Sequence, residues 1–330
     1  MVRVRFAPSP TGSLHVGNAL SAVVNRSLGD WLLLRIDDTD PARNVPGGEE
    51  AIGADLVWLG IAWDDGPVRQ SERATRHRKV AEQLGTRFDG VTLLREDGSP
   101  TYQLASVVDD ADFGITHVVR GNDHRPNEQL HRRLFAALGV AAPEFVHHGL
   151  VLGEDGKKLS KRAEGATLAS LRDLGIPAAA VRAYLEELGV PRHDVRYDVG
   201  RIRRLAIDAI AALTDEQLAE QADVPPAFAP ALRGARDLNE VREFGRTLLA
   251  PDPVRLGDEA RPTLERFREL VERANGALDA RAVIRELKAV GGDLRALRLA
   301  LTGRDRGPEL WAVVAALPPE EALRRVDAAL

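Results

Sequence analysis

Two stretches of the chain carry side chains whose types and spacing suit phosphate chemistry. In Gly156-Lys157-Lys158-Leu159-Ser160-Lys161-Arg162, four cations fall within six positions, with Gly and Ser for flexibility. A cationic loop of this kind can stabilise the charge that develops on a triphosphate under in-line attack. The lysines are out of character here: the chain has 40 Arg against 5 Lys, and three of the five are Lys157, Lys158 and Lys161. A position that keeps Lys against such a bias wants a compact ammonium on a flexible stem; a chance cluster in an exposed loop is the plainer alternative. The second stretch runs from Phe6 through Pro8, Ser9, Pro10, Thr11, Gly12 and Ser13 to His15-Val16-Gly17-Asn18. Its small residues let a phosphate approach the backbone, Gly17 leaves room for a ribose or adenine face, and His15 offers a donor to a phosphate oxygen. Alone, such a turn reads equally well as a structural loop. The distant lysines make it a candidate nucleotide site.

The elements that must position these residues follow from periodicity. Residues 2–6 read as a strand, broken by Pro8, Pro10 and Gly12, and from His15 the apolar Val16, Leu20, Val23, Val24 and Leu28 recur at helical spacing. A second strand over 31–36 precedes a polar loop and a helix through Ile52, Leu56 and Leu59. Residues 71–84 and 128–138 are expected to be helical, and 91–95, 115–120 and 145–152 to be strands. Strands alternating with helices imply a parallel sheet covered on its faces, with ligands at the carboxyl ends of the strands. After Lys161 the pattern turns helical (168–174, 181–188, then 199–330) with nothing strand-like and many prolines as punctuation. The fold class expected is α/β, a Rossmann-like doubly wound parallel-sheet domain over residues 1–190, followed by an all-helical domain over 191–330.

Composition narrows the function classes. A content of 44% hydrophobic and 29% charged residues is that of a globular protein rather than a disordered one. With no Cys there is no disulfide framework, no Cys-based zinc site and no thiol nucleophile. The formal net charge of −5 argues against a chain that is basic throughout, while leaving room for local patches such as Arg192, Arg196, Arg201, Arg203 and Arg204, read either as a solvated surface or as a phosphate-backbone contact. No apolar run reaches bilayer length and the N-terminus has no apolar signal segment, so a cytoplasmic protein without membrane contact is expected. His124, Glu128 and His131 share a helical face and make a conceivable metal triad, though packing or solvated roles account for them as well. His147 and His148 point to opposite faces of a strand and are poorly placed to share an ion.

Taken together, these residues resemble the class I aminoacyl-tRNA synthetases. His15-Val16-Gly17-Asn18 is similar to their HIGH signature, and Lys158-Leu159-Ser160-Lys161-Arg162 to their KMSKS loop. The resemblance narrows to the glutamyl-tRNA synthetases through Arg5-Phe6-Ala7-Pro8-Ser9-Pro10-Thr11-Gly12, Arg35-Ile36-Asp37-Asp38-Thr39-Asp40, Gln70-Ser71-Glu72-Arg73, Pro100-Thr101-Tyr102-Gln103-Leu104-Ala105, Val107-Val108-Asp109-Asp110 and Gly114-Ile115-Thr116-His117-Val118-Val119-Arg120-Gly121. It extends to the tail, from Ala300-Leu301-Thr302-Gly303 to Leu323-Arg324-Arg325, which is similar to the end of the family's anticodon-binding region.

The resemblance implies activation of L-glutamate by ATP with Mg²⁺ and ligation to tRNA, with tRNA(Glu) the expected acceptor and a monomer the expected state. It implies that Thr11, Gly12, His15, Gly17, Asn18, Lys158, Ser160 and Lys161 hold ATP, with His15, Lys158 and Lys161 catalytic. Arg5, Ala7, Ser9, Asp37, Tyr102, Ser106 and Arg120 would hold glutamate. Two Arg and one carboxylate match a substrate with two carboxylates and one ammonium. The departures are informative too. Asp37 stands where bacterial members usually have Glu, and Ser106 where many have Asn or Val. Only about 30 residues separate Gln70 from Pro100, so the insertion that grips the tRNA acceptor end is nearly absent, around 85–98. With it goes any expectation of structural zinc. Rival readings are a glutamyl-queuosine tRNA(Asp) synthetase, transfer of glutamate to a non-tRNA acceptor, and a non-catalytic tRNA-binding paralogue. Lys161→Ala is expected to depress glutamate activation strongly while leaving the fold intact, and wild-type-like turnover in that folded variant would remove the lysine loop from the mechanism.

Overall fold

A computed structural model describes residues 1–159, 163–274 and 278–330. Its contacts divide the chain into two units, one made of residues 1–173 and 181–202, the other of 174–180 and 203–330.

The first unit is built on parallel strands joined by helices. Strand β1 (Arg3–Phe6) leads through the proline-rich loop to α1 (Val16–Leu28), which returns the chain to β2 (Trp31–Ile36). β1 and β2 pair in parallel from Arg3 opposite Trp31 to Phe6 opposite Leu34. Helix α2 (Gly48–Trp58) then crosses to β3 (Asp65–Arg69), parallel to β2 at the edge of this three-stranded sheet. Parallel neighbours require such helical crossovers, and these cover the faces. Accordingly Leu32, Leu33, Leu34 and Ile36 are all buried, as are Val16, Ala19, Leu20, Val23 and Val24 along one side of α1. After α3 (Ala74–Leu84) comes a small antiparallel pair, β4 (Arg87–Phe88) with β5 (Val91–Thr92). Helix α4 (Tyr102–Asp112) precedes a second parallel pair, β6 (His117–Gly121) and β7 (Glu144–His148), joined by α5 (Glu128–Ala137). The Thr116 N–H just before β6 donates to Arg3 O, which lays this pair alongside β1.

The structure corrects three expectations of detail. The strand expected over 145–152 is two, β7 and β8 (Val151–Leu152). Between them a Cβ on Gly149 would lie 1.9 Å from His193 O, so only glycine permits this close passage of two backbones. Beyond α6 (Leu168–Asp173) and α7 (Ala178–Leu188) there is a further strand, β9 (Val195–Arg196), parallel to β8 and too short for alternation to reveal. The strand expected over 91–95 shrinks to Val91–Thr92.

The second unit is helical. After α8 (Val199–Ala211) come α9 (Asp215–Ala222), α10 (Ala229–Leu232), α11 (Leu238–Leu249), α12 (Arg261–Arg273), α13 (Ala280–Ala289), α14 (Leu294–Thr302), α15 (Leu310–Ala316) and α16 (Pro319–Ala329). Pro230, Pro262 and Pro319 occupy first-turn positions, where the missing N–H costs nothing. Thr214, Asp237, Asp279 and Asp293 cap the helices that follow them. Phe267, Leu287, Leu297, Leu301, Val313 and Val326 fill the core. Buried among these helices, Arg325 donates to Leu301 O at 2.8 Å and to Leu248 O at 2.6 Å, satisfying last-turn carbonyls of α14 and α11, while Glu321 accepts from its Nε at 2.6 Å. Arg325→Ala would orphan two carbonyls and is expected to cost about 2 to 5 kcal/mol of this unit's stability. A guanidinium unfolding midpoint for this unit equal to wild type would refute that assignment.

Candidate active site

The loop between β1 and α1 is pinned from both ends. Asp55, buried on α2, accepts from Ser13 Oγ and from Leu14 N–H, each at 2.8 Å, and from Arg172 Nη2 at 2.8 Å. Ser13 Oγ accepts from the Ala169 N–H at 3.0 Å, and Val16 N–H donates to Ala166 O. The segment that follows the lysine loop is thereby stitched to the loop that precedes α1. His15 caps α1: its Nδ1 accepts from the Asn18 N–H at 3.2 Å, so in the neutral ring the proton sits on Nε2. A Cβ at residue 17 would meet the His15 ring at 3.1 Å, which explains glycine there.

A cavity of about 650 Å³ opens over this loop. Of the residues expected to hold ATP, Thr11, His15, Gly17, Asn18 and Lys158 line it, and Gly12 does not. Ser160 and Lys161 lie outside the described residues. Lys158 stands at the bridge to Leu152 and reaches Asp123 with Nζ 2.6 Å from Oδ2. Against the burial that would raise it, Lys158 holds the Asp123 carboxyl below the usual range.

At the other end of the cavity lie Arg5, Ala7, Ser9, Asp37, Tyr102 and Arg120. Ser106 is not among the lining residues: it is wholly buried on α4, and its hydroxyl has no hydrogen-bond partner. Beneath the cavity is a charge network in which sequence reasoning left Arg35 and Asp110 without roles. Arg35 is 0% exposed, near the end of β2, the middle strand of its sheet. Its Nε and Nη2 hold the two oxygens of Asp37 at 2.7 and 3.2 Å, and its Nη1 lies 2.7 Å from Asp110 Oδ1. Arg5 Nε reaches the same Asp110 at 3.2 Å, and its Nη1 donates to Val119 O. Against burial, Asp37 and Asp110 keep the Arg35 guanidinium above its ordinary value. Burial pushes the Asp37 carboxyl up while Arg35 pulls it down, and a guanidinium holding both oxygens keeps the pair ionised. The signal for this network was present: an Arg inside the otherwise apolar run Trp31-Leu32-Leu33-Leu34-Arg35-Ile36 must find a buried partner.

Arg120, from β6, is treated differently. It is 6% exposed, its Nε lies 3.3 Å from His147 Nε2 and its Nη1 3.4 Å from His131 Nδ1. Its Nη2 is buried without a hydrogen-bond partner. His124, Glu128 and His131, weighed as a metal triad, are engaged separately, with Tyr102, Arg132 and Gln103 respectively. His148 points away from its neighbour His147, to Ser21 Oγ at 2.7 Å.

Burial, and then the charge of Arg120, lower His131 to about 3 and His147 to about 4. Both are neutral in the fold, whereas in the unfolded chain they take up protons below about pH 6.5. The unfolded state thus binds more protons between about pH 4 and 6.5, and stability falls as pH drops through that window. Replacing both with non-titrating amides is expected to flatten this slope by on the order of 1 kcal/mol per pH unit for each histidine. An unchanged slope in denaturant titrations from pH 4 to 7 would contradict the placement of both rings.

Comparison with known proteins agrees with this geometry. The family described as tRNA synthetases class I (E and Q), catalytic domain, matches residues 1–87 and 85–203, two matches that meet where the missing insertion is expected. Glutamate–tRNA ligase 1 of Rubrobacter xylanophilus is 35% identical over 427 aligned positions, covering 99% of this chain and 97% of the relative. That alignment is longer than the 330 residues of this chain, so the relative carries residues that this chain lacks. The glutamate–tRNA ligase of Nitrobacter hamburgensis is 30% identical, with 99% and 98% covered. In fold, the chain is similar to the crystal structure of a glutamate tRNA ligase from Elizabethkingia meningosepticum in complex with its amino acid, with a TM-score of 0.77 at 23% identity and 99% of both chains covered. A catalytic-domain match over the first 203 residues and relatives aligned from end to end lead to one conclusion: the chain belongs to the glutamyl-tRNA synthetase family of class I aminoacyl-tRNA synthetases.

Proposed function

We propose that the cavity of the first unit is where this glutamate–tRNA ligase forms glutamyl-adenylate and passes the glutamyl group to tRNA. The α-carboxylate of glutamate attacks the α-phosphate of ATP, and the P–O bond to pyrophosphate breaks. The terminal ribose hydroxyl of the tRNA then attacks the mixed anhydride and AMP leaves. No side chain acts as a nucleophile, so catalysis consists of positioning and charge stabilisation. In this reading His15 and the Lys158 ammonium serve the phosphates, with Thr11, Gly17 and Asn18 from the same cavity lining completing the nucleotide contacts; Gly12, which does not line the cavity, and Ser160 and Lys161, which lie outside the described residues, are assigned to ATP by the family resemblance alone. The N-terminus of α1, whose Val16 and Asn18 amides are taken by Ala166 O and His15 Nδ1, contributes through the helix dipole. Mg²⁺, bound with ATP, supplies neutralisation of phosphate charge; among the described residues no group of three or more acidic or His side chains converges to hold an ion, which suits a cation carried by the nucleotide.

The observation that carries the glutamate reading is the charge balance of the pocket. Within the cluster formed by Arg5, Arg35 and Arg120 with Asp37 and Asp110 there is one cation in surplus, and it resides on Arg120, whose Nη2 is buried and unpartnered. Glutamate, with net charge −1, neutralises this cluster; glutamine leaves the cation desolvated and unpaired, a strong ground for rejection. Asp37 takes the ammonium, and Ala7, Ser9 and Tyr102 shape the wall. Ser106, lying behind the wall, completes the set through the packing of α4. The reading places the enzyme in the cytoplasm as a monomer acting on tRNA(Glu); among the described residues no helix is long and apolar enough to cross a membrane. The test is glutamate-dependent ATP–pyrophosphate exchange with and without total tRNA. Exchange that appears only with tRNA is expected. Equal exchange without tRNA would favour a queuosine-type or non-tRNA acceptor, and no exchange in either would refute the reading.

A further inference from the structure

Of the three buried arginines at the pocket, Arg5, Arg35 and Arg120, Arg120 is the one whose described hydrogen bonds go to no carboxylate. Arg5 is tied to Asp110, and Arg35 to Asp37 and Asp110. Arg120 instead has His147 Nε2 at Nε and His131 Nδ1 at Nη1. A guanidinium has no lone pair to offer, so each imidazole nitrogen facing it must be the acceptor. The outer contacts fix the tautomers to match. His131 Nε2 lies 2.6 Å from Gln103 Oε1, and Gln103 in turn donates from Nε2 to Asn127 Oδ1 at 3.2 Å, which turns the amide oxygen toward the imidazole. His131 therefore carries its proton on Nε2. His147 Nδ1 faces Glu128 Oε2 at 3.5 Å, so its proton belongs on Nδ1. Phe145 closes the underside, with Arg120 Cζ 5.0 Å from its ring centre and His147 stacked on it at 6.4 Å.

We propose that His131 and His147 are positioning residues for specificity: as neutral acceptors they aim Arg120 without cancelling its charge, which reserves that charge for the side-chain carboxylate of glutamate. The proposal rests on the reading that Arg120 meets glutamate. A carboxylate in either position would aim the guanidinium equally well but would neutralise it, and the pocket would then accept glutamine on nearly equal terms. Burial beside Arg120 also keeps both rings in the neutral form over the pH range in which the enzyme would work.

The two histidines use different nitrogens, and this provides a crossed test. An Asn side chain puts its amide oxygen about where Nδ1 sits, and a Gln side chain about where Nε2 sits. His131→Asn and His147→Gln are thus expected to keep KM for glutamate within about threefold of wild type, whereas His131→Gln and His147→Asn raise it roughly tenfold with KM for ATP unchanged, the scale of one hydrogen bond to a charged group. His147→Glu is expected to lower the glutamate-to-glutamine ratio of kcat/KM by tenfold or more. Thermal unfolding of each variant controls for misfolding, and the amide pairs carry the test should the Glu variant not fold. Matched and mismatched amides with the same KM for glutamate, or a folded His147→Glu protein with an unaltered ratio, would overturn the proposal. Arg120→Gln separates the two levels. If it leaves KM for glutamate unchanged, the reading of Arg120 itself falls; if it raises KM while the mismatched amides behave as wild type, only the role of the histidines falls.

Discussion

The first unit depends on the sharing of Asp110 between Arg5 and Arg35. An arginine with no exposure in a central strand is costly to desolvate, and only close, multiply hydrogen-bonded carboxylates compensate for it. Arg35 obtains two, one from the turn that follows its own strand and one from α4. Arg5 reaches both oxygens of that second carboxylate, Oδ1 at 3.2 Å and Oδ2 at 3.3 Å. β1, β2, the loop after β2 and α4 are thereby tied together, and three of them line the cavity, β1 through Arg5 and Phe6, the loop through Asp37 and α4 through Tyr102. Next to it, buried Asp109 is held below the usual range: burial opposes this, but His77, Arg35 and Arg73 prevail, and so α3 is tied into the same assembly.

The two ends of the cavity differ in how they manage charge. At the proposed glutamate end the ions are buried and their number is fixed by geometry, and the selectivity proposed above rests on that balance. At the nucleotide end the Lys158–Asp123 pair is half exposed, with side chains 54% and 33% accessible. Exposed pairs contribute little to stability. Lys158 can therefore exchange Asp123 for a phosphate at small cost, as a charge-stabilising residue must.

Much of this could be read from the chain alone, and the exceptions have physical causes. Strands β1 and β2 and helices α1 and α5 are evident because burial on one or both faces imposes a pattern that periodicity detects. Strand β3 is not, since Asp65-Gly66-Pro67 has the composition of a turn; Pro67 is tolerated because the strand lies at a sheet edge, where a missing N–H breaks no ladder. Helix α4, with Asp109 and Asp110 at its buried side, carries charge where a core face should be apolar; Asp110 is explained by arginines 75 and 105 positions away, and Asp109 by Arg73 and His77, 36 and 32 positions away. The same limit applies to the site. His15, Lys158, Arg5 and Arg120 announce themselves by motif, whereas Arg35, Asp110, His131 and His147 acquire roles only once the fold brings them together. Ser106, assigned by likeness to its neighbours in the motif, faces the interior instead.

The central claim is that one surplus buried cation, Arg120, is reserved for a carboxylate of the substrate. Crystallography of the protein with glutamate tests it most directly. The account predicts the side-chain carboxylate within hydrogen-bond distance of Arg120 Nη2 and the ammonium against Asp37, with the contacts of Arg5 and Arg35 to Asp110 unchanged. Glutamate bound with no carboxylate in reach of Arg120 would contradict it.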